Sequence, residues 1–153
     1  MLCVGNDDDL RQVVAGQDGV LAGARKGAVI VDHTTASASV ARELAALCLE
    51  QGIGFLDAPV SGGEAGAVNG QLTIMVGGEA SVFDLVRPVI NAYARMVRRM
   101  GEVGSGQLTK MVNQICIAGL LQGLSEALHF AQNAGLDGEA AMAVIGKGAA
   151  QSW

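Results

Sequence analysis

Two short apolar runs that each end in an aspartate, Ala28-Val29-Ile30-Val31-Asp32 and Ile53-Gly54-Phe55-Leu56-Asp57, do most to restrict the fold of this chain. Each is continuous rather than alternating, the pattern of a parallel strand covered on both faces. Between them a hydroxyl-rich loop, His33-Thr34-Thr35-Ala36-Ser37, leads into a helix that Ser37 or Ser39 can cap and that runs to about Glu50. Val40, Leu44 and Leu47 supply its buried stripe, and Gly52 stops it. Strand, helix and strand within about thirty residues is the spacing of a right-handed parallel crossover. The fold class is therefore α/β.

The flanking stretches extend the same alternation. Met1-Leu2-Cys3-Val4 reads as the last half of a buried strand, and Gly5-Asn6-Asp7-Asp8-Asp9 as a loop capping a short helix from Asp7 to Val14. Gly16-Gln17-Asp18-Gly19 is a turn. After Asp57, Pro59 fixes φ and the pair Gly62-Gly63 exposes consecutive main-chain N–H groups, a concave donor array suited to a carboxylate. A plain loop that needs glycine for positive φ explains the same residues. The spacing then predicts a strand over Leu72–Val76, a helix from Glu79 to about Tyr93 bent or interrupted near Pro88, and a short strand or extended link over Val97–Met100.

Gly101 to Gly106 delivers the chain into a helix of about seven turns ending near Asn133, followed by a helix from about Asp137 to Ile145. Lys110, Asn113 and Gln114 stand at i, i+3 and i+4, which puts an ammonium and two carboxamides on one face of one turn. Their neighbours Met111, Val112, Ile115, Ile117, Leu120, Leu121, Leu124 and Leu128 predict a helix buried against two bodies. A lysine can lay its stem on such a surface and keep its head in water. The two carboxamides beside it favour a site that orients an oxygen-rich ligand.

Composition excludes several partners. A net charge of −5, a pI near 4.8 and no basic run longer than Arg98-Arg99 make nucleic acid and anionic membranes poor ligands and favour a small molecule. The 22 glycines are about twice the usual share of ~7%, as tight turns or close backbone approach to a ligand require. Cys3, Cys48 and Cys116 are odd in number and show no C-x-x-C spacing, so reduced thiols, no metal site and a cytoplasmic location are expected. Neither a signal peptide nor a membrane span is expected.

Three stretches together resemble the β-hydroxyacid dehydrogenases, the family that contains 3-hydroxyisobutyrate dehydrogenase and tartronate semialdehyde reductase: VDHTTAS (31–37), DAPVSGGEAGAVNGQLTIMVGG (57–78) and GEVGSGQLTKMVNQ (101–114). The resemblance implies the C-terminal part of a Rossmann-type, mostly parallel-sheet domain over residues 1–100. Residues 101–153 would then supply a long interdomain helix and the start of an all-helical domain. It further implies that Ser61, Gly62 and Gly63 bind a substrate carboxylate, that Lys110 is the catalytic acid/base, and that Asn113 and Gln114 hold the substrate. Thr35 matches a threonine beside the nicotinamide end of NAD or NADP, and Asn6 follows the strand lining the same cleft.

By the same resemblance a glycine-rich phosphate loop would precede Met1 and further helices would follow, so the chain is expected to be an internal fragment. The pair Asn113-Gln114 lacks the histidine of decarboxylating phosphogluconate relatives, which favours simple hydride transfer. The implied reaction interconverts a short 3-hydroxy acid and its semialdehyde, with Lys110 moving the proton and burial favouring its neutral form. Self-association into a homo-oligomer is expected. A catalytically silent chain that serves as a subunit-interaction module is the alternative.

Overall fold

The computed structural model describes residues 1–151. By packing, the chain divides into two compact units, the first Met1–Met111 and the second beginning at Val112. The first is an α/β unit. Its helices are α1 (Asp7–Ala15), α2 (Val20–Gly23), α3 (Ala38–Glu50), α4 (Gly63–Val68) and α5 (Ala80–Ile90); its strands are β1 (Val29–Asp32), β2 (Gly54–Asp57), β3 (Val60–Ser61), β4 (Leu72–Gly77) and β5 (Ala94–Gly101). The helix α6 (Ser105–Asn133) begins in this unit, and α7 (Gly138–Ile145) lies in the second.

The predicted crossover is present: β1, α3 and β2 follow in order, and β1 pairs with β2 in parallel from Val29↔Gly54 to Asp32↔Asp57. Leu2 extends this side of the sheet by a parallel bridge to Asp32. Beyond Asp57 the strand changes neighbour. Ala58 still donates its N–H to Asp32 O, but Pro59 O already accepts from Met75 N, and β3 runs antiparallel to β4. Proline suits this point because it has no N–H to place in a ladder. β4 then pairs in parallel with β5, so most of the sheet's ladder is parallel and its direction reverses where β2 and β3 meet β4, at Asp57↔Gly77, Val60↔Ile74 and Ser61↔Thr73.

The continuous apolar runs bury both faces of the sheet. Ile30 and Phe55 join Leu10, Val14, Val40, Leu44 and Cys48 on one side, under α1 and α3. The alternate residues Val31 and Leu56 join Ile74, Val76, Phe83 and Ile90 on the other, under α5. Each fully buried Leu or Ile contributes about 1.5–3 kcal/mol relative to exposure. Cys48, rather than Leu47, completes the innermost stripe of α3. Ser37 caps α3 by accepting Val40 N–H, as its position predicts.

Three differences from the sequence reading have local causes. α2 is a short helix just after the predicted turn, in a stretch to which the sequence assigns no element, and α4 one where the sequence suggests a loop; neither is long enough to show an apolar period. Pro88 sits inside α5, which ends at Ile90 and is followed by a 3-10 turn over Asn91–Tyr93. Finally, α6 is not buried on every side. Val112, Ile115, Leu121 and Phe130 are exposed, and the covered positions form one stripe that includes Ile117, Leu120, Leu124, Leu128 and Ala131. An apolar sequence around a whole helix sets what it can bury, and the described residues cover only one side of it.

Candidate functional site

The first turn of α6 is seated on the sheet where its direction reverses. Asp57, fully buried at the end of β2, accepts Gly104 N–H at 2.8 Å through Oδ1 and Gln107 N–H at 2.9 Å through Oδ2. A carboxylate at a helix N-terminus satisfies donors that have no partner in the helix and meets the positive end of its dipole. Burial pushes the Asp57 carboxyl above the usual carboxylate range, and these N–H groups pull it back. The fit is close enough to require glycine. A Cβ on Gly106 would fall on the carbonyl oxygens of Met75 and Asp57, and one on Gly77 would fall on the Asp57 carboxylate. Gly104 adopts φ +91°, the left-handed region, as it turns its N–H toward Asp57.

Three residues into α6, the side chain of Gln107 is fully buried and reaches back to the loop after β1. Its Nε2 donates to Thr34 O at 2.7 Å and its Oε1 accepts from Ala36 N–H at 3.1 Å. The same loop is held from other sides as well: Thr34 Oγ1 accepts Val4 N–H, and Asp7 accepts both the N–H and the hydroxyl of Ser37. Those two bonds hold the Asp7 carboxyl below its ordinary range. Thr35, between the clamped residues, is exposed, and none of the hydrogen bonds between described residues involves it.

Asn6 and Thr35 come together on one open groove of about 460 Å³, lined by Gly5, Asn6, Asp7, Asp8, Thr35, Ala36, Ser37 and Met111. Asn6 also caps α1: its Oδ1 accepts Asp8 and Asp9 N–H, and its Nδ2 donates to the Asp9 carboxylate. One Nδ2 hydrogen remains for a ligand. Lys110 stands one turn beyond Gln107 and is only 9% exposed. Burial lowers its pKa below the ordinary lysine value. Lys110 is absent from the four ion pairs found among the described residues.

Ser61 is half-buried in the β3–β4 pairing opposite Thr73; Gly62 and Gly63 are exposed at the start of α4 with φ of +134° and +59°. Both therefore occupy backbone conformations that favour glycine. His33 braces the chain that leads to them: Nδ1 lies 2.6 Å from Ala58 O and Nε2 2.9 Å from the Tyr93 hydroxyl. Desolvation lowers the His33 pKa. Asn113 and Gln114 belong to the second unit, where Asn113 Nδ2 donates to Gln114 Oε1 at 3.1 Å.

Sequence reasoning passed over Asp57 as an anchor and Gln107 altogether. The available signals were the acid that closes an apolar strand and the i, i+3 spacing of Gln107 and Lys110 on α6. Asp32 is a further buried carboxyl: Oδ1 accepts Thr34 N–H while Oδ2 has no partner among the described residues, and burial raises its pKa. The three cysteines are free thiols. No group of His, Cys, Asp and Glu among the described residues is arranged to hold a metal, and no described helix is long and apolar enough to cross a membrane.

Comparison with known proteins decides the family. Residues 1–101 match the family described as the NAD binding domain of 6-phosphogluconate dehydrogenase, and residues 104–153 match the NAD-binding family of NADP-dependent 3-hydroxyisobutyrate dehydrogenase. The chain belongs to the β-hydroxyacid dehydrogenase family. As a β-hydroxyacid dehydrogenase chain it is 66% identical over 151 residues to an uncharacterized oxidoreductase of Shewanella frigidimarina, covering 99% of this chain and 52% of that protein. It is 39% identical over 136 residues to 2-hydroxy-3-oxopropionate reductase of Escherichia coli, covering 89% of this chain and 47% of the relative. The structure of 3-hydroxyisobutyrate dehydrogenase from Mycobacterium tuberculosis with L-serine superposes with a TM-score of 0.86 at 32% identity, over 99% of this chain and 51% of that one. The chain thus spans about half the length of the β-hydroxyacid dehydrogenase relatives it matches.

Proposed function

We propose that this chain serves an NAD- or NADP-dependent oxidoreductase that interconverts a short 3-hydroxy acid, of the 3-hydroxyisobutyrate or 2-hydroxy-3-oxopropionate type, and its semialdehyde. The carrying observation is Lys110: a buried lysine with a lowered pKa, on a helix whose first turn is locked both to the sheet and to the Thr35 loop. Names of relatives support the reaction class. A bound nicotinamide supplies the hydride acceptor or donor at the carbinol carbon.

The chain's own groups divide the remaining tasks. Thr35 and Asn6 fit the nucleotide because they share one groove and Thr35 has its hydrogen-bonding capacity uncommitted. Within the first unit, Ser61 and the N–H groups of Gly62 and Gly63 anchor the substrate carboxylate; in the second unit, Asn113 and Gln114 carry the carboxamides suited to substrate oxygens. In oxidation the neutral Lys110 amine takes the hydroxyl proton at Nζ; in reduction the ammonium returns it to the developing alkoxide. A pKa lowered by desolvation brings both forms within reach nearer neutral pH. The unpaired thiols suit a reducing compartment, and the exposed Val112, Ile115, Leu121 and Phe130 suit association of copies into a homo-oligomer.

The test is a hybrid enzyme in which residues 1–153 replace the matching stretch of the Shewanella frigidimarina oxidoreductase. Turnover of short 3-hydroxy acids with NAD or NADP, lost in Lys110→Met while nucleotide binding persists, supports the reading. Activity that survives Lys110→Met overturns it.

A further inference from the structure

We propose that Gln107 is a positioning residue that fixes the nucleotide-facing Thr35 loop to the helix carrying Lys110, so that cofactor and proton donor share one rigid frame. The proposal rests on the function argued above. Its basis is the bracket itself: Nε2 to Thr34 O at 2.7 Å and Oε1 to Ala36 N–H at 3.1 Å, across sequence separations of 73 and 71 residues. The bonded groups belong to the residues on either side of Thr35, and Thr35 alone of the three is exposed. A primary carboxamide keeps a donor and an acceptor in fixed relation without having to bind a proton, so it pairs with a C=O and an N–H as a neighbouring strand would. The main-chain N–H of Gln107 is meanwhile bound to Asp57. One residue therefore joins three places: the end of β2, the Thr35 loop and the first turn of α6.

A glutamine serving only to fill the core would be replaceable by leucine in its effect on ligands. A positioning residue would not be, because releasing Thr34 and Ala36 frees Thr35 to move relative to Lys110. In the hybrid enzyme, Gln107→Leu is expected to weaken nucleotide binding by about tenfold, the size of one or two lost hydrogen bonds. Its KM for the hydroxy acid should change less than about twofold, since the residues proposed to hold that substrate lie elsewhere. Gln107→Glu is the companion variant. Ionised, it accepts from Ala36 but faces Thr34 O with a second acceptor; protonated, it restores both bonds. Its nucleotide affinity should recover as pH falls toward 5, while that of the parent hybrid stays flat in comparison.

A folded Gln107→Leu enzyme with parental nucleotide affinity overturns the proposal, as does a Gln107→Glu enzyme with no recovery at low pH. Should the leucine variant fail to fold, the glutamate variant decides. Failure of the functional reading is seen separately, in a parent hybrid that has no turnover. The clamp is then read by amide hydrogen exchange in the 153-residue chain, where Ala36 N–H should lose protection in Gln107→Leu, which removes its acceptor, and keep it in Gln107→Glu, whose carboxylate still accepts; unchanged protection in the leucine variant overturns the proposal.

Discussion

The buried carboxylate of Asp57 accepts the main-chain N–H of Gln107 at 2.9 Å, so the last residue of a central strand caps the helix that carries the candidate proton donor. With Gly104 N–H on the other oxygen, both carboxylate oxygens are committed to one helix start. Asp57→Asn keeps the shape but turns an amide N–H₂ toward one of those donors. Hydrogen bonds to charged groups are worth about 1.5–3 kcal/mol each. A loss of roughly 2–4 kcal/mol is expected from urea unfolding of the first unit. An unchanged midpoint would remove Asp57 from the anchoring role.

Gly106→Ala tests the closeness of that seat. The added methyl would occupy the space of the Met75 and Asp57 carbonyl oxygens, which are backbone atoms and cannot swing aside. Destabilisation above about 3 kcal/mol is expected, against about 1 kcal/mol of stabilisation at an unobstructed helical glycine. Gly119→Ala, where nothing lies within 4 Å of the added methyl, is the internal control.

Lys110→Met in the hybrid enzyme should lower kcat by ~10²–10⁴ with little change in nucleotide affinity. Lys110→Arg keeps the charge and cannot release a proton near neutral pH. Retained turnover in the arginine variant would reassign the residue to an electrostatic task.

His33 makes stability depend on pH in a stated direction. Desolvation lowers its folded pKa below the ordinary value of 6.5, so below that pH the unfolded chain binds a proton that the folded one resists. Stability is therefore full above pH 6.5 and is lost as pH falls through the window beneath it. The raised pKa values of the buried Asp32 and Asp57 act with the opposite sign as pH rises above the ordinary carboxylate value, since their folded forms hold protons more tightly. Comparing thermal midpoints of the parent and His33→Gln between about pH 7.5 and 5.5 isolates the histidine, because the glutamine variant should lack its share of the slope.

Cys48 should resist alkylation in the folded chain. Burial raises its thiol to about 11, and it lies in the innermost stripe of α3. Counting fast and slow thiols with iodoacetamide should find Cys48 modified only on unfolding, whereas Cys3 and Cys116 are exposed.

What could be seen in the sequence was what repeats locally. The runs ending in Asp32 and Asp57 showed two buried strands, Ser37 showed a helix start, and the Lys110 turn showed where polar groups interrupt an apolar helix. Gln107 was hidden because its partners are main-chain atoms more than 70 residues away, and main-chain atoms carry no letter in a sequence. Asp57 was read as the end of a strand, its contacts with Gly104 and Gln107 being invisible until the helix was placed. The exposure of Val112, Ile115, Leu121 and Phe130 had no signature either, since apolarity states what a surface can bury and says nothing of whether it does.

The separation between each anchor and its partner sets an order of events during synthesis. Thr34 and Asp57 leave the ribosome 73 and 50 residues before Gln107, the residue that bonds both. At roughly 5–20 residues per second, the strands are exposed for several seconds as a nascent sheet with a buried-type carboxyl still in water. Closing loops of this length is entropically costly before it is rewarded, so the Thr35 loop should acquire its final shape only when the first turns of α6 arrive. The parts proposed to meet cofactor and substrate would then be the last of the first unit to order, and a pause in translation shortly before Gly104 would expose them longest.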